Sequence, residues 1–409
     1  MRIAIVMPIM TSVTTGGLLS ASRITSIPPP PTDEDNLTVE MAKAIAALGH
    51  EVTLFASDFY RPLHSVSDSV PGVRVVYLPT RLQRVFHPVF IPFIPTLYRR
   101  IRDEGYSVVQ SEDFLQWSTI LSALASSRAS YPLVIWHEIN IKQRFPGNVI
   151  QSIYAMTLGK AVARRTALFI PRNLQAKDFL LNTGIPSSKI GEVIHSGVNT
   201  EAFSPSSDRD RLRQQLGLEP DCFVILSVGR LVPYKGHRYL LLALRKVLDK
   251  YPQTRLILVG DGPEKDNLCQ LSEDLGIAGD VTMIEHVAKR ELTRYYNAAD
   301  VMALPSSEKE LFPNFTILES LACGTPVIFA DPAGDKEIGG DGFCGYYAPF
   351  GDVDELARRI LALIENPQRH IEMSRAAIDL VGSQFDLRVI ARKWVQVYEA
   401  VTKGGQNGL

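Results

Sequence analysis

The sequence predicts an α/β protein made of two doubly wound domains with parallel sheets. Short apolar runs alternate with helix-period segments along the whole chain, a pattern typical of parallel sheets covered on both faces. A length of 409 residues favours more than one domain. The polar, proline-broken stretch SPSSD at 204–208 marks a boundary near the middle. We therefore predict an N-terminal domain at 1–203, a C-terminal domain at 204–385, and a helix and tail at 386–409.

The strands of the first domain follow from short runs of apolar and β-branched residues. They are predicted at 3–7, 51–55, 73–77, 107–110, 133–136 and 167–170. A helix at 37–48, stopped by Gly49, separates the first two. The connection at 11–32 is rich in Ser, Thr and Pro and too long for a usual βα loop. It could be a loop without function, or a ligand-binding loop at the carboxyl end of the first strand.

The second domain repeats this alternation. Its strands are predicted at 223–228, 255–259, 281–284, 301–304 and 326–329, with helices after Lys235, Lys265, Lys289, Thr316 and Val353. The last segment, 386–401, places Trp394 and Tyr398 on the apolar face of a helix, which could return to the N-terminal domain.

Composition excludes some classes of partner and site. The formal net charge is −1, so no global field selects nucleic acid or an anionic membrane. The four cysteines have no metal-ligand spacing, and we expect reduced thiols in a cytoplasmic protein. The apolar start is broken by Pro8, which favours a buried strand over a signal peptide. No run approaches the roughly 18–20 apolar residues that span a bilayer.

The segment 227–236, SVGRLVPYKG, carries the clearest chemical signal. It is a strand entering a glycine-bearing loop with two cations, Arg230 and Lys235. A helix predicted to start near Thr316 offers its positive dipole end to the same anion. Within that helix, the carboxylate of Glu319 suits the paired hydroxyls of a diol. Cations and a helix start for a diphosphate, with a carboxylate for hydroxyls, predict a nucleotide-sugar site.

Several motifs, in this order and at these separations, resemble the family 4 glycosyltransferases. They are GHEV at 49–52, IHSGVNTEAF at 194–203, VGRLVPYKG at 228–236, VGDGP at 259–263, YNAADV at 296–301 and LESLACGTPV at 318–327. Members are retaining enzymes of the GT-B fold, in which two Rossmann-like domains face a central cleft. The resemblance implies that the donor nucleotide lies against the C-terminal domain and the acceptor against the N-terminal one.

The resemblance also implies roles for individual residues of the C-terminal domain. Arg230 and Lys235 would clamp the donor diphosphate, and the helix start at 314–316 would add Asn314, Phe315 and Thr316 to the phosphate site. Glu319 would accept hydrogen bonds from the ribose. His286 and Val287 would contact the base. No metal is then required, because fixed cations stabilise the charge on the leaving phosphate.

The first glutamate of the family's paired motif departs from the usual spacing. Eight residues separate Glu310 from Glu319, where the family has seven, and the usual distance falls on Leu311. A one-residue bulge could restore Glu310 to the donor sugar, where it would stabilise positive charge on the reacting ring. Alternatively, Glu308 or a backbone group takes that role.

In the N-terminal domain the resemblance points to His137, at the end of VIWH, as a hydrogen-bond partner of the donor sugar or its leaving phosphate. Glu112 or Asp113 could contact the acceptor. Gly16 and Gly17 could bring backbone N–H groups to the phosphates. The basic and aromatic stretch 81–102 could meet a membrane surface or a lipid-linked acceptor, or be a mostly buried segment.

Together these features predict a retaining transferase that moves a sugar from a UDP- or GDP-linked donor to a hydroxyl acceptor. A GT-B epimerase is one alternative, with Glu112, Asp113 and Glu138 as acid or base. A phosphorylase of this fold would be larger. A catalytically silent nucleotide-sugar-binding subunit is the alternative outside the enzymes. An NAD dehydrogenase is excluded because no GxGxxG follows the first strand.

Overall fold

The computed structural model describes residues 1–7, 37–57, 66–70, 72–81, 93–138, 147–307, 314–330 and 337–406. The chain divides into two compact units, Met1–His195 with Leu387–Leu409, and Ser196–Asp386. The predicted division at 203/204 is therefore displaced, because residues 196–203 pack with the second unit. Val198 and Phe203 lie in the core of that unit, and the Val198 N–H donates to the Phe385 carbonyl at 2.8 Å.

The elements of the first unit alternate along the chain. In order they are β1 (Arg2–Val6), α1 (Leu37–Ala46), β2 (Glu51–Ser57), β3 (Val66–Val70), β4 (Val73–Leu78), α2 (Pro95–Asp103), β5 (Val108–Glu112), α3 (Trp117–Ala129), β6 (Leu133–His137), α4 (Gly147–Met156), α5 (Leu158–Arg165), β7 (Thr166–Pro171) and α6 (Leu174–Asn182).

The seven described strands form one sheet in the order β3-β4-β2-β1-β5-β6-β7, parallel except for β3, which runs antiparallel to β4. Alternate residues of the strands enter two different cores, one on each face: Ile3 and Ile5 on one side, Ala4 and Val6 on the other. From β1 the chain first adds strands towards one edge of the sheet and then, from β5 onward, towards the other edge. The strand order therefore reverses between β1 and β5. Doubly wound sheets bind ligands at the carboxyl ends of the strands beside such a reversal.

The second unit has the same plan. Its elements are α7 (Arg209–Gln215), β8 (Phe223–Val228), α8 (His237–Leu248), β9 (Thr254–Val259), α9 (Lys265–Asp274), β10 (Val281–Ile284), α10 (Lys289–Ala298), β11 (Val301–Leu304), α11 (Phe315–Ala322), β12 (Val327–Phe329), β13 (Gly345–Tyr347), α12 (Val353–Glu365) and α13 (Pro367–Leu380). The six described strands are parallel, in the order β10-β9-β8-β11-β12-β13, and the reversal falls between β8 and β11.

The C-terminal helix α14 (Leu387–Gln406) belongs to the first unit, which confirms that the chain returns to the N-terminal domain. Trp394 and Tyr398 are buried in the core that contains Ile3 and Ile5. The Trp394 ring meets that of Trp136 edge to face at 5.9 Å, and the Tyr398 hydroxyl donates to the side-chain carbonyl of Gln110. The segment predicted as a separate helix and tail is therefore part of the first domain's core.

Most predicted strands match the observed ones at both ends or to within a few residues, and β8, β10 and β11 match at both ends. Sequence analysis missed β3 and β13. Three of the five residues of β3, VSDSV, are polar, and β13 has three residues, so neither carries a clear period. The connection at 11–32, with Gly16 and Gly17, lies outside the described residues.

All four cysteines are free, and Cys222, Cys323 and Cys344 are buried. Among the helices that the structure describes, none combines the length and apolar character needed to cross a lipid bilayer.

Candidate active site

The loop after β8 packs closely against the residues that follow β11. Strands β8 and β11 are neighbours in the sheet, and the strand order reverses between them. Gly236 has φ of +75°, and a Cβ there would lie 2.2 Å from the Pro305 carbonyl oxygen, so only glycine fits. The Ser307 N–H donates to the Tyr234 carbonyl at 2.8 Å. The ends of the two strands are thereby joined into one surface at the carboxyl edge of the sheet.

The two predicted cations lie on this loop. Lys235 is 7% exposed, and a Cβ added to Gly229 would lie 3.5 Å from its Nζ, so the ammonium group lies against the glycine backbone. Arg230 is half-buried, and its guanidinium donates to the Tyr234 hydroxyl and lies over that ring at 5.9 Å. Burial and these contacts hold both cations at the strand end, which is the preorganisation that an anion site requires.

His237, which sequence analysis missed, is buried behind the loop and contacts its backbone. Its Nε2 lies 3.3 Å from the Arg230 carbonyl and its Nδ1 lies 3.3 Å from the Ser227 hydroxyl. Because a carbonyl can only accept, Nε2 must carry the proton and Nδ1 accepts from Ser227. Burial, and then the positive charge of Lys235, lower the pKa of His237 to about 4, so the ring is neutral at neutral pH.

Helix α11 starts at the same edge of the sheet, in the connection that leaves β11. The Asn314 side chain accepts from the Ile317 N–H at 3.0 Å and from the Thr316 hydroxyl at 2.9 Å, which caps the helix. Asn314 is buried, and its Nδ2 has no hydrogen-bond partner among the described residues. A buried amide donor at a helix N-terminus is suited to an anionic ligand.

Glu319 lies one turn into α11 and is 5% exposed. The Tyr296 hydroxyl donates to its Oε2 at 2.9 Å, and burial together with this carboxylate raises the pKa of Tyr296 well above its usual value. Tyr296 therefore orients the carboxylate. It lies in the YNAADV motif, but nothing local showed that its hydroxyl would meet Glu319.

Of the four remaining predicted positions of the second unit, two follow β10 and two lie outside the described residues. His286 is exposed after β10, and Val287 packs against the core that includes Val259. Glu308 and Glu310 lie outside the described residues. Which of them would contact the donor sugar therefore stays a prediction. Immediately before them, the hydroxyls of Ser306 and Ser307 are buried without a described partner.

In the first unit, polar side chains gather at the carboxyl ends of β5 and β6. Asp113 adopts a left-handed conformation with φ of +55°, and its Oδ1 accepts from the Glu138 N–H at 3.0 Å and lies 3.4 Å from His137 Nδ1. Asp113 thus ties the two strand ends together. That Asp113 contacts the acceptor stays a prediction beside this positioning role.

His137 is fully buried, and its ring packs on that of Phe179 at 5.2 Å. The Phe114 N–H donates to Nδ1 at 3.3 Å, so in this tautomer the ring proton is on Nε2. Nε2 has no hydrogen-bond partner among the described residues. The ring is therefore held in position with one donor available to a ligand, as the prediction for His137 requires.

Glu112 and Glu138 have different environments. The Oε1 of Glu112 is buried without a described partner, and burial, reinforced by Asp113 and partly offset by Arg172, raises its pKa to about 8. Glu138 instead forms an ion pair with the buried Arg172. Of the three carboxyls considered for an epimerase, Asp113 and Glu138 are engaged with their neighbours.

The described part of the stretch 81–102 does not present an apolar surface. Ile94 and Leu97 are buried, and the half-buried Phe93 packs on Trp117 at 6.0 Å. Arg100 and Arg102 pair with Glu104 and Asp103. Within residues 93–102 the exposed side chains are those of arginines, whereas Ile94, Leu97 and Ile101 are buried. Residues 82–92 lie outside the described residues, so both alternatives for the stretch stay predictions.

Two family models match consecutive parts of the chain. The model described as Glycosyltransferase Family 4 matches residues 35–202, and the one described as Glycosyl transferases group 1 matches residues 208–379. Together they span most of the sequence. They meet at 202–208, close to the predicted domain boundary.

Some relatives are similar to this chain over nearly their whole lengths. The D-inositol 3-phosphate glycosyltransferase of Kribbella flavida is 26% identical over 387 residues, covering 89% of this chain and 90% of that protein. Among solved structures, HepE of Anabaena in complex with UDP has a TM-score of 0.74 at 21% identity, covering 98% of this chain and 100% of that one. Sucrose-phosphate synthase of Thermosynechococcus elongatus has the same TM-score and identity, covering 98% and 99%. The likeness to these two structures shows that the fold is GT-B, with two Rossmann-like domains. The chain belongs to the group 1 and family 4 glycosyltransferases.

Proposed function

We propose that this chain transfers a sugar from a nucleoside diphosphate sugar, UDP- or GDP-linked, to a hydroxyl acceptor, with retention of configuration and without a metal. The observation that carries the proposal is the grouping at one sheet edge in the second unit. There the buried Lys235, the half-buried Arg230 and the capped start of α11 accompany the buried carboxylate of Glu319.

The cations and the helix start suit a diphosphate leaving group. When the bond between the sugar and the phosphate breaks, negative charge collects on the phosphate oxygens. Lys235 and Arg230, with the N–H groups of α11 and the Asn314 amide, can stabilise that charge more strongly in the transition state than in the ground state. Because fixed cations neutralise the phosphates, the reaction does not need a divalent ion.

The carboxylate of Glu319 serves a different part of the donor. It is oriented by the Tyr296 hydroxyl, and a carboxylate with two acceptor oxygens matches the two hydroxyls of a ribose. In the first unit, the Nε2 donor of His137 is chemically suited to an oxygen of a sugar or a phosphate. We assign no enzyme nucleophile, and retention follows if the acceptor attacks the face from which the phosphate leaves.

The first experiment is a thermal-shift panel with UDP, GDP, ADP and TDP and their common sugars, each with and without EDTA. UDP comes first because the structurally similar HepE is solved in complex with it. One selective shift, unchanged by EDTA, would support the proposal, since a ligand that binds the native state stabilises it in proportion to RT ln(1 + [L]/Kd). A selective shift without transfer to any acceptor would favour a silent nucleotide-sugar-binding subunit. No shift with any nucleotide would overturn the donor site.

Lys235→Ala tests the diphosphate assignment directly. We expect it to abolish the nucleotide-induced shift and to lower donor turnover, followed as release of the nucleoside diphosphate, by about 10²–10³-fold. Lys246→Ala is the matched control, because this half-exposed lysine pairs with Asp354 on the outer face of α8. If the donor turnover of Lys235→Ala stays within about threefold of that of the parent, the assignment is wrong. A threefold change corresponds to well under 1.4 kcal/mol in the activation barrier.

A further inference from the structure

Exposed apolar side chains concentrate on three neighbouring helices of the first unit, α3, α4 and α5. Met156 is 68% exposed and Ile153 is 57% exposed, the two highest values among the large hydrophobic residues that the structure describes. Val149, Ile153 and Met156 follow one another at helical spacing on α4, and Leu158 begins α5. Leu124 on α3 is exposed as well. Proteins that work alone in water rarely expose such a concentration, which marks an interaction surface.

The three helices pack against one another, so the residues form one surface. Gly159 on α5 lies against α4, where a Cβ would be 2.9 Å from the Tyr154 carbonyl oxygen. The Tyr154 ring is turned inward onto Phe114, at 5.5 Å, which leaves the stripe of α4 on the outside. Helix α5 also packs on α3. We call the outer side of these helices the α3–α5 face.

The charge of the α3–α5 face is all of one sign. Helices α3, α4 and α5 contain no Asp or Glu. Their cations are exposed, and none forms an ion pair with a residue that the structure describes: Arg128, Lys160, Arg164 and Arg165. By contrast, Arg100 and Arg102 on neighbouring α2 are both paired with carboxylates. The face therefore combines unneutralised positive charge with exposed apolar side chains.

We propose that the α3–α5 face docks on a lipid bilayer containing anionic headgroups. Apolar side chains of a surface helix enter the boundary between headgroups and acyl chains, while lysines and arginines meet the phosphates. A second copy of the chain fits less well, because a twofold interface would bring the same unpaired cations together. The inference does not depend on the donor site of the second unit, and it places the membrane contact outside the stretch 81–102.

Vesicle co-sedimentation tests the proposal with the full chain. Phosphatidylcholine vesicles are compared with vesicles in which about a third of the lipid is phosphatidylglycerol, at low and high salt. The parent is expected to bind the anionic vesicles, and salt should weaken this binding because screening acts on exposed charges. Ile153→Glu with Met156→Glu should weaken binding at least about tenfold, since two exposed apolar side chains that would enter the bilayer are replaced by charged ones. Lys160→Glu with Arg164→Glu should abolish the preference for anionic lipid.

Ile371→Glu with Arg375→Glu is the matched control. These two exposed residues lie on α13 of the second unit, and the pair receives the same kinds of substitution. It should bind vesicles as the parent does. The melting temperature of each variant shows whether it has folded.

The proposal is overturned if the parent does not bind vesicles, or if it binds neutral and anionic vesicles equally. It is also overturned if the control pair loses as much vesicle binding as the Ile153→Glu, Met156→Glu pair, or if the parent is a dimer that this α4 pair dissociates.

Discussion

At the scale of single residues, burial sets the charge of the ionisable groups at both strand edges. In the second unit it lowers the pKa of His237 to about 4 and keeps the ring neutral beside Lys235. In the first unit it raises the pKa of Glu112 to about 8 and keeps the carboxyl protonated at neutral pH. A protonated carboxyl can donate as well as accept, which suits a hydroxyl ligand better than a phosphate.

Glu112 should give the first unit a pH-dependent stability. An exposed carboxyl ionises near pH 4.5, whereas Glu112 in the folded chain holds its proton to about pH 8. Between these values the folded state binds more protons than the unfolded state, so the contribution of Glu112 to stability falls as pH rises. Glu112→Gln removes this loss. The melting temperature of the variant minus that of the parent should therefore increase from pH 4.5 to about 8.

Glu192→Gln, at an exposed position of the same unit, is the control for this series. Its melting temperature should change with pH as that of the parent does. A difference between Glu112→Gln and the parent that stays constant across the range would mean that Glu112 is already ionised in the folded chain.

At the scale of elements, the Asn314 cap of α11 contributes to stability, and in the proposed function the same residue also binds the donor diphosphate. Asn314→Ala removes the acceptor for the Ile317 N–H, so we expect the free energy of unfolding to fall by about 1 kcal/mol. Asn314→Asp keeps that acceptor but replaces the amide donor with negative charge. It should therefore unfold like the parent while losing most of the stabilisation by nucleoside diphosphate. Denaturant unfolding and thermal shifts measure the two effects separately.

If Asn314→Asp were stabilised by nucleotide as strongly as the parent, the start of α11 would not be the phosphate site. The capping contribution would stand in either case, because it rests on a contact within the helix.

At the scale of the whole molecule, each unit has its own cores, and α14 contributes to one of those of the first unit. Trp394→Ala should destabilise that unit by about 3–5 kcal/mol, because it empties a large buried site. Leu244→Ala, in a core of the second unit, is the counterpart. Hydrogen exchange by peptide should show faster exchange in β1–β7 for Trp394→Ala and in β8–β13 for Leu244→Ala. Equal acceleration throughout by either variant would mean that the cores unfold together.

The sequence alone was sufficient for the plan of two doubly wound domains and for placing Arg230 and Lys235 in the loop that follows β8. Hydrophobic period and turn chemistry are local properties, which is why β8, β10 and β11 could be placed at both ends. Arg230, Lys235 and Glu319 could be chosen in the same way, because a strand end followed by a glycine loop or a helix start is visible as spacing.

Tertiary structure decided what depends on residues far apart in the chain. It moved the boundary to 195/196, because Val198 pairs with the segment before α14, and it seated Trp394 in the first unit. It also disclosed the supports of the site, His237 beneath Arg230 and Tyr296 on Glu319. Their roles exist only once folding brings a second group within hydrogen-bonding distance and removes both from water. Spacing along a chain does not encode either event.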